Sequence, residues 1–152
     1  IMSLQAKIQH DLSAGKRWED VFGELAVKAG HTWVKSSKEV DMRLHIDGFL
    51  DGYGVDVKAS KSKFNMWLDY TNVRGYAGWL RGSAQYIAMR VAEDDFFAIF
   101  NRTDLLDFFL KERKGIAVNN KEYLKVYTRE GNSDKIMRVT YDHIKHLEKG
   151  RL

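Results

Sequence analysis

The 152-residue chain contains neither cysteine nor proline. Without cysteine it can form no disulfide, no thiolate metal site and no thiol nucleophile, so any metal must rest on carboxylates, carbonyls, histidine or water. Without proline, breaks between elements have to be read from glycine and polar clusters. No apolar run approaches the roughly 20 residues that cross a bilayer. The start has no charged-then-apolar signal segment, which makes a cytoplasmic protein, of a bacterium or a phage-infected cell, the expectation. Internal repeats, low-complexity tracts, a phosphate-binding Walker loop, a dinucleotide fingerprint and a Ser-His-Asp pattern are also missing.

What is present suits one folded domain over 1–152, with Ile1 to Leu4 reading as a cloning remnant. A hydrophobic content of 44% and an aromatic content of 12% supply a sizeable core. The net charge of +4 is modestly basic and agrees with a polyanionic partner without demanding one.

Periodicity predicts the elements. From Lys16 to Gly30, Trp18, Val21, Phe22, Leu25 and Ala26 recur at helical spacing, and Gly30 is placed to end the helix. His31 to Ser37 reads as a first strand. From Met42 to Leu50 apolar and polar residues alternate, with Met42, Leu44 and Ile46 on one face and Arg43, His45 and Asp47 on the other. A turn at Asp51-Gly52 joins this run to a second alternating strand, 54–60, as a β-hairpin. Residues 65–73 read as another strand, and 83–91 with 95–101 as a further hairpin turning near Glu93 to Asp95. A helix follows over 103–115, with Thr103 as N-cap and Leu105, Leu106, Phe109 and Leu110 as its stripe. A late hairpin around Gly131-Asn132 and a short closing helix over 142–150 complete the order. The sum is an α/β or α+β fold, a central mixed β-sheet flanked by helices.

Within the first hairpin, residues two apart on a strand share a face, so Asp56 and Lys58 project together while Val55 and Val57 point into the core. Asp47 can approach the same spot from the neighbouring strand, with His45 on its face. Two carboxylates beside a lysine suit a hard divalent cation such as magnesium, which takes oxygen ligands and keeps several waters. The lysine would then orient a water or stabilise phosphate charge. The same pattern also describes the solvated face of an ordinary strand.

Taken in order, Glu19 on the first helix, Asp47, and Asp56-Val57-Lys58 resemble the PD-(D/E)XK nuclease superfamily, with its helix acid, strand acid and Asp/Glu-x-Lys. Gly15 and Glu19 match the Gly-x-x-x-Glu opening of archaeal-type Holliday junction resolvases. The segments LHID, VDVKASKSK and GYAGWLRGSAQYIA are similar to small phage-type members. The resemblance covers roughly residues 15 to 100. Asp47 departs from it in having no proline before it, and Asp20 and Glu24 compete with Glu19 for the helix role. What the resemblance implies is a restriction-endonuclease-like core and a metal-dependent DNA endonuclease. Asp47 and Asp56 would bind Mg2+ or Mn2+, Glu19 would bind or orient a metal water, and Lys58 would position the attacking water. A possible homodimer follows from superfamily members that cut both strands, and a DNA-binding protein that no longer cuts is the alternative.

Lys61 and Lys63 sit close behind Lys58 and suit phosphate neutralisation, or a solvated loop. The run 72–86 interleaves Arg74 and Arg81 with Tyr76, Trp79 and Tyr86. Its arginines are candidate DNA contacts and Trp79 a candidate core residue. Gln85 is a weaker candidate for a polar residue near the site, and His45 reads as structural or as a ligand. His31, His143 and His146 show no zinc spacing, His10 stands alone, and the basic end of the later helix suits its dipole.

Overall fold

The computed structural model describes residues 17–152; Gly15, Lys16, His10 and the first four residues lie outside them. Helix α1 (Trp18–Lys28) buries Val21, Phe22 and Ala26, the predicted stripe. Strand β1 (Trp33–Lys35) follows.

The run read as a strand from Met42 is in its first part a helix, α2 (Lys38–Leu44). Ser37 caps it by accepting a hydrogen bond from the Val40 N–H, Glu39 and Asp41 lie in its first turn, and His45 closes it in the left-handed region at φ 55°. Arg43 pairs with Glu39 one turn away at 3.2 Å. The alternation of Met42, Leu44 and Ile46 is therefore not a strand face, and Met42 is 72% exposed. Removing the cap in Ser37→Ala is expected to cost about 1 kcal/mol. In a thermal melt that is a fall of roughly 2–4 °C.

The strand proper, β2 (Gly48–Leu50), forms the predicted hairpin with β3 (Tyr53–Ala59), pairing Gly48 with Val55 and Leu50 with Tyr53. Asp51 at φ 49° and Gly52 at φ 87° make its two-residue turn, the geometry that matches the twist of the flanking strands. Then come β4 (Met66–Thr71), a 3-10 turn (Trp79–Arg81), and the hairpin β5 (Tyr86–Val91) and β6 (Phe96–Asn101). Helix α3 (Arg102–Glu112) starts one residue before the predicted span, with Asn101 rather than Thr103 at its cap. Leu105 and Phe109 are buried in it, while Leu110 is exposed. The late hairpin is β7 (Val126–Tyr127) with β8 (Lys135–Val139). The closing segment is only briefly helical, as α4 (Tyr141–Ile144) and a 3-10 turn, before it extends into β9 (Glu148–Arg151).

The strands form two sheets. The larger runs β1-β2-β3-β5-β6-β9 and is mixed, with β3 and β5 parallel and the other pairs antiparallel. The smaller runs β4-β8-β7 and is antiparallel. Two apolar clusters hold them. On one face of the large sheet α1 packs with Val55, Ala88 and Phe97, and Val57 leans on the same group. On the other face Ile87, Met89, Trp79, Leu105 and Phe109 meet Met66, Leu68, Met137 and Val139 of the small sheet. Alternation along β4 turns Trp67 and Asp69 to the opposite face of the small sheet, away from that core.

Candidate functional site

The alternation of β3 decides where its charges go. Val55 and Val57 face α1, so Asp56 and Lys58 face the other way, toward the 3-10 turn. Asp56 is 3% exposed, and the Lys58 ammonium lies 3.3 Å from its Oδ1 and 5.5 Å from the centre of the Trp79 ring. Asp47 is the residue just before β2. Its backbone N–H donates to the Val55 carbonyl at 2.8 Å, and its side-chain Oδ2 accepts from the Val57 N–H at 2.7 Å. That bond anchors the Asp47 carboxyl at β3, where it meets Asp56. The predicted convergence of Asp47, Asp56 and Lys58 is thus present, although Asp47 enters from the start of a strand.

A third carboxyl joins them. Asp41, on α2, hydrogen-bonds to Asp47. Sequence reasoning left it out because residues 38–41 were given no element. The Ser37 cap position and the Glu39-Arg43 spacing were the signals that mark a helix here and bring Asp41 toward Asp47.

Electrostatics follow from crowding and burial. Burial pushes Asp47 up to about 6 against the pull of the Val57 N–H, and the Asp56 charge adds to the rise. Burial also raises Asp56, with Lys58 opposing it, and raises Asp41, whose bond to Asp47 adds to the effect. Asp69 on β4 is raised by burial as well, against the nearby charge of Lys58. Asp56 Oδ2 and Asp69 Oδ1 are buried without a hydrogen-bond partner.

Because Asp47 holds its proton more tightly when folded than at its ordinary value of 3.8, its contribution to stability is complete below about pH 4 and is lost as pH rises through about 6. In EDTA, Tm is expected to fall over that window by more in the wild type than in Asp47→Asn. Thermal melts of the two proteins at matched pH check this.

The residues fit a hard cation. Asp56 presents a desolvated oxygen that no donor satisfies, and its neighbours are oxygen ligands of the same sign. Two carboxylates with waters are enough for magnesium. Among the described residues, however, no three or more His, Asp or Glu side chains form a ready-made metal-binding group.

The helix acid is placed differently. Glu19 lies 3.7 Å from Arg17, and Asp20 pairs with Lys35 of β1 at 3.0 Å. Both ride on α1, which packs on the face of the sheet opposite Asp56 and Lys58. His45 caps α2, and its charge acts on Asp41 and Asp69.

The proposed DNA contacts divide. Lys61 is exposed and lines a cavity of about 350 Å³ with Lys58, Trp67 and Trp79. Lys63 pairs with Asp94 at 3.2 Å. Arg74 is exposed in the turn after β4. Arg81 is exposed but tethered: its guanidinium donates to the Tyr70 carbonyl at 2.8 Å and to Thr71 Oγ1 at 3.0 Å, and stacks on the Tyr70 ring. Trp79 is 5% exposed, as a core residue should be. Gln85 donates its backbone N–H to Gly54, at the end of β3 opposite Lys58.

No helix among the described residues is long and apolar enough to cross a membrane. Compared with protein families, with curated proteins and with solved structures, the chain matches none.

Proposed function

We propose that this chain is a divalent-metal-dependent DNA endonuclease with a restriction-endonuclease-like core, acting at Asp47, Asp56 and Lys58. The observation that carries the proposal is the juxtaposition at the end of β3. A buried, partly unsatisfied carboxylate touches a second carboxylate on one side and a lysine ammonium on the other.

Asp47 and Asp56 would hold Mg2+ or Mn2+. When bound, the ion would polarise the scissile phosphate and make water a better nucleophile. The chain's own groups do the rest. The Val57 N–H fixes one Asp47 oxygen at β3. Asp56 holds the Lys58 ammonium, which can then donate to a water or to a phosphate oxygen. Lys61, on the same cavity wall, adds positive charge for the backbone of the nucleic acid. Asp41, beside Asp47, is a further oxygen donor.

The placement of α1, with Glu19, on the face of the sheet opposite Asp56 and Lys58 favours one other reading, a DNA-binding protein on the same fold that does not cut. The experiment that separates the two incubates the protein with labelled duplex, single-stranded, flap and four-way-junction DNA in magnesium, manganese or EDTA. Cutting of any substrate that needs the metal supports the nuclease. Salt-sensitive binding with no cutting in either metal supports the alternative.

A further inference from the structure

The outward face of the small sheet holds aromatic and charged groups that the core does not use. Trp67 on β4 and Tyr127 on β7 lie on this face with ring centres 6.1 Å apart, tilted by 41°. Between them runs β8, whose Ile136 pairs with both Asp69 and Tyr127. Trp67, Asp69, Tyr127 and Arg129 surround a cavity of about 480 Å³, whose remaining wall includes Trp79. Trp67 and Trp79 also wall the cavity that contains Lys58 and Lys61, so the two spaces adjoin at the tryptophans.

Each wall has a definite chemistry. Trp67 and Tyr127 are half-buried, so parts of their rings are presented to the cavity. Asp69 has a buried Oδ1 with no donor in the protein. Its strand lies hard against Gly78, where an added Cβ would strike the Asp69 carbonyl and Oδ1, so only glycine lets the two chains approach this closely. Arg129 is anchored at 2.6 Å to the buried Asp134 yet remains half exposed, which leaves part of its guanidinium for a further acceptor. Flat rings, a carboxylate in the wall and a guanidinium at the rim suit an unpaired nucleobase and its phosphate.

We propose that this cavity binds an unpaired base of the DNA strand whose phosphate lies at Lys58. Trp67 and Tyr127 stack on the base, Asp69 accepts from its N–H groups, and Arg129 meets the backbone. The inference rests on the nuclease reading for the identity of the strand and extends it to a substrate class: DNA with unpaired nucleotides beside the scissile bond, as in a flap, a splayed end or a single strand. The connection is physical, because the cavity and the Lys58 cleft share two tryptophan walls.

The test measures binding in EDTA, where no cutting occurs, by fluorescence anisotropy. The probes are a single strand, a splayed duplex and a blunt duplex of the same sequence. Wild-type protein is compared with Trp67→Leu, Tyr127→Leu, Asp69→Asn and Lys58→Ala, each checked for folding by circular dichroism. Wild type is expected to favour the two probes with unpaired bases. Loss of either stacking ring is expected to weaken that binding by roughly 5- to 150-fold while changing blunt-duplex binding little. Asp69→Asn is expected to alter the ranking of homopolymer strands, which a purely electrostatic surface would leave unmoved.

Equal binding of blunt and unpaired probes by wild type overturns the proposal. So does wild-type affinity for single strands in folded Tyr127→Leu and Trp67→Leu. If Trp67→Leu does not fold, Tyr127→Leu and Asp69→Asn decide. A preference for unpaired DNA in a protein that never cuts in magnesium or manganese would keep the base site and remove the nuclease. Cutting of all shapes alike, without that preference, would do the reverse.

Discussion

Lys58→Ala is expected to lose metal-dependent DNA cleavage by roughly 10²–10⁴-fold, the usual worth of a positioned proton-transfer group. The ammonium is held 3.3 Å from Asp56 and stands over Trp79 on the face of β3 that looks into the cleft. Its stem is part of the cleft wall, but it is partly exposed and belongs to neither apolar cluster. The variant should therefore melt within a few degrees of wild type. Lys58→Arg keeps the charge but replaces a compact ammonium with a planar fork, so it should restore DNA affinity more fully than turnover. A split between binding and kcat of this kind identifies a group acting on the reacting atoms. Cleavage by Lys58→Ala at the wild-type rate, measured on the same labelled DNA, would sink the assigned role.

Asp56→Asn is expected to do two opposite things. Cleavage should fall to background, because the amide cannot replace a carboxylate as a ligand of a hard cation. Stability in EDTA should rise. Asp56 is 3% exposed, burial raises its pKa, and its Oδ2 has no partner, so the native state carries a poorly compensated charge. Relief of such a group is worth about 1–3 kcal/mol. Each kcal/mol raises Tm by roughly 2–4 °C in a chain of this size. Lys58 loses its partner in the variant but can reach water, so it does not cancel the gain. Magnesium should stabilise the wild type and leave Asp56→Asn unmoved, because only the former binds it. A variant less stable than wild type in EDTA would mean that the Asp56–Lys58 pair outweighs the burial cost.

The hairpin that carries these residues was legible because its two strands follow the period of two and a two-residue turn joins them. The Asp56 and Lys58 side chains could be placed on one face for the same reason. Residues 38–44 were not legible as a helix because Met42, Leu44 and Ile46 mimic strand alternation, whereas the element is set by the Ser37 cap and the Glu39–Arg43 pair. That error hid Asp41. Glu19 could be assigned to a helix from its neighbours, but helical period does not tell which face of a sheet the helix will cover. Nothing local to Arg81 reveals that part of its guanidinium is tied to Tyr70 and Thr71. The outward face of the small sheet was hidden for a different reason: Trp67 and Tyr127 are 60 positions apart in the chain, and only the pairing of β8 with both β4 and β7 brings them together.

That pairing also orders events in time. The partner strand of β4 lies more than 60 positions further along the chain. Closing so long a loop is entropically slow compared with zipping the β2–β3 and β5–β6 hairpins. The carboxylates of the hairpin can therefore come together early, while the wall across from them waits for the last third of the chain to fold.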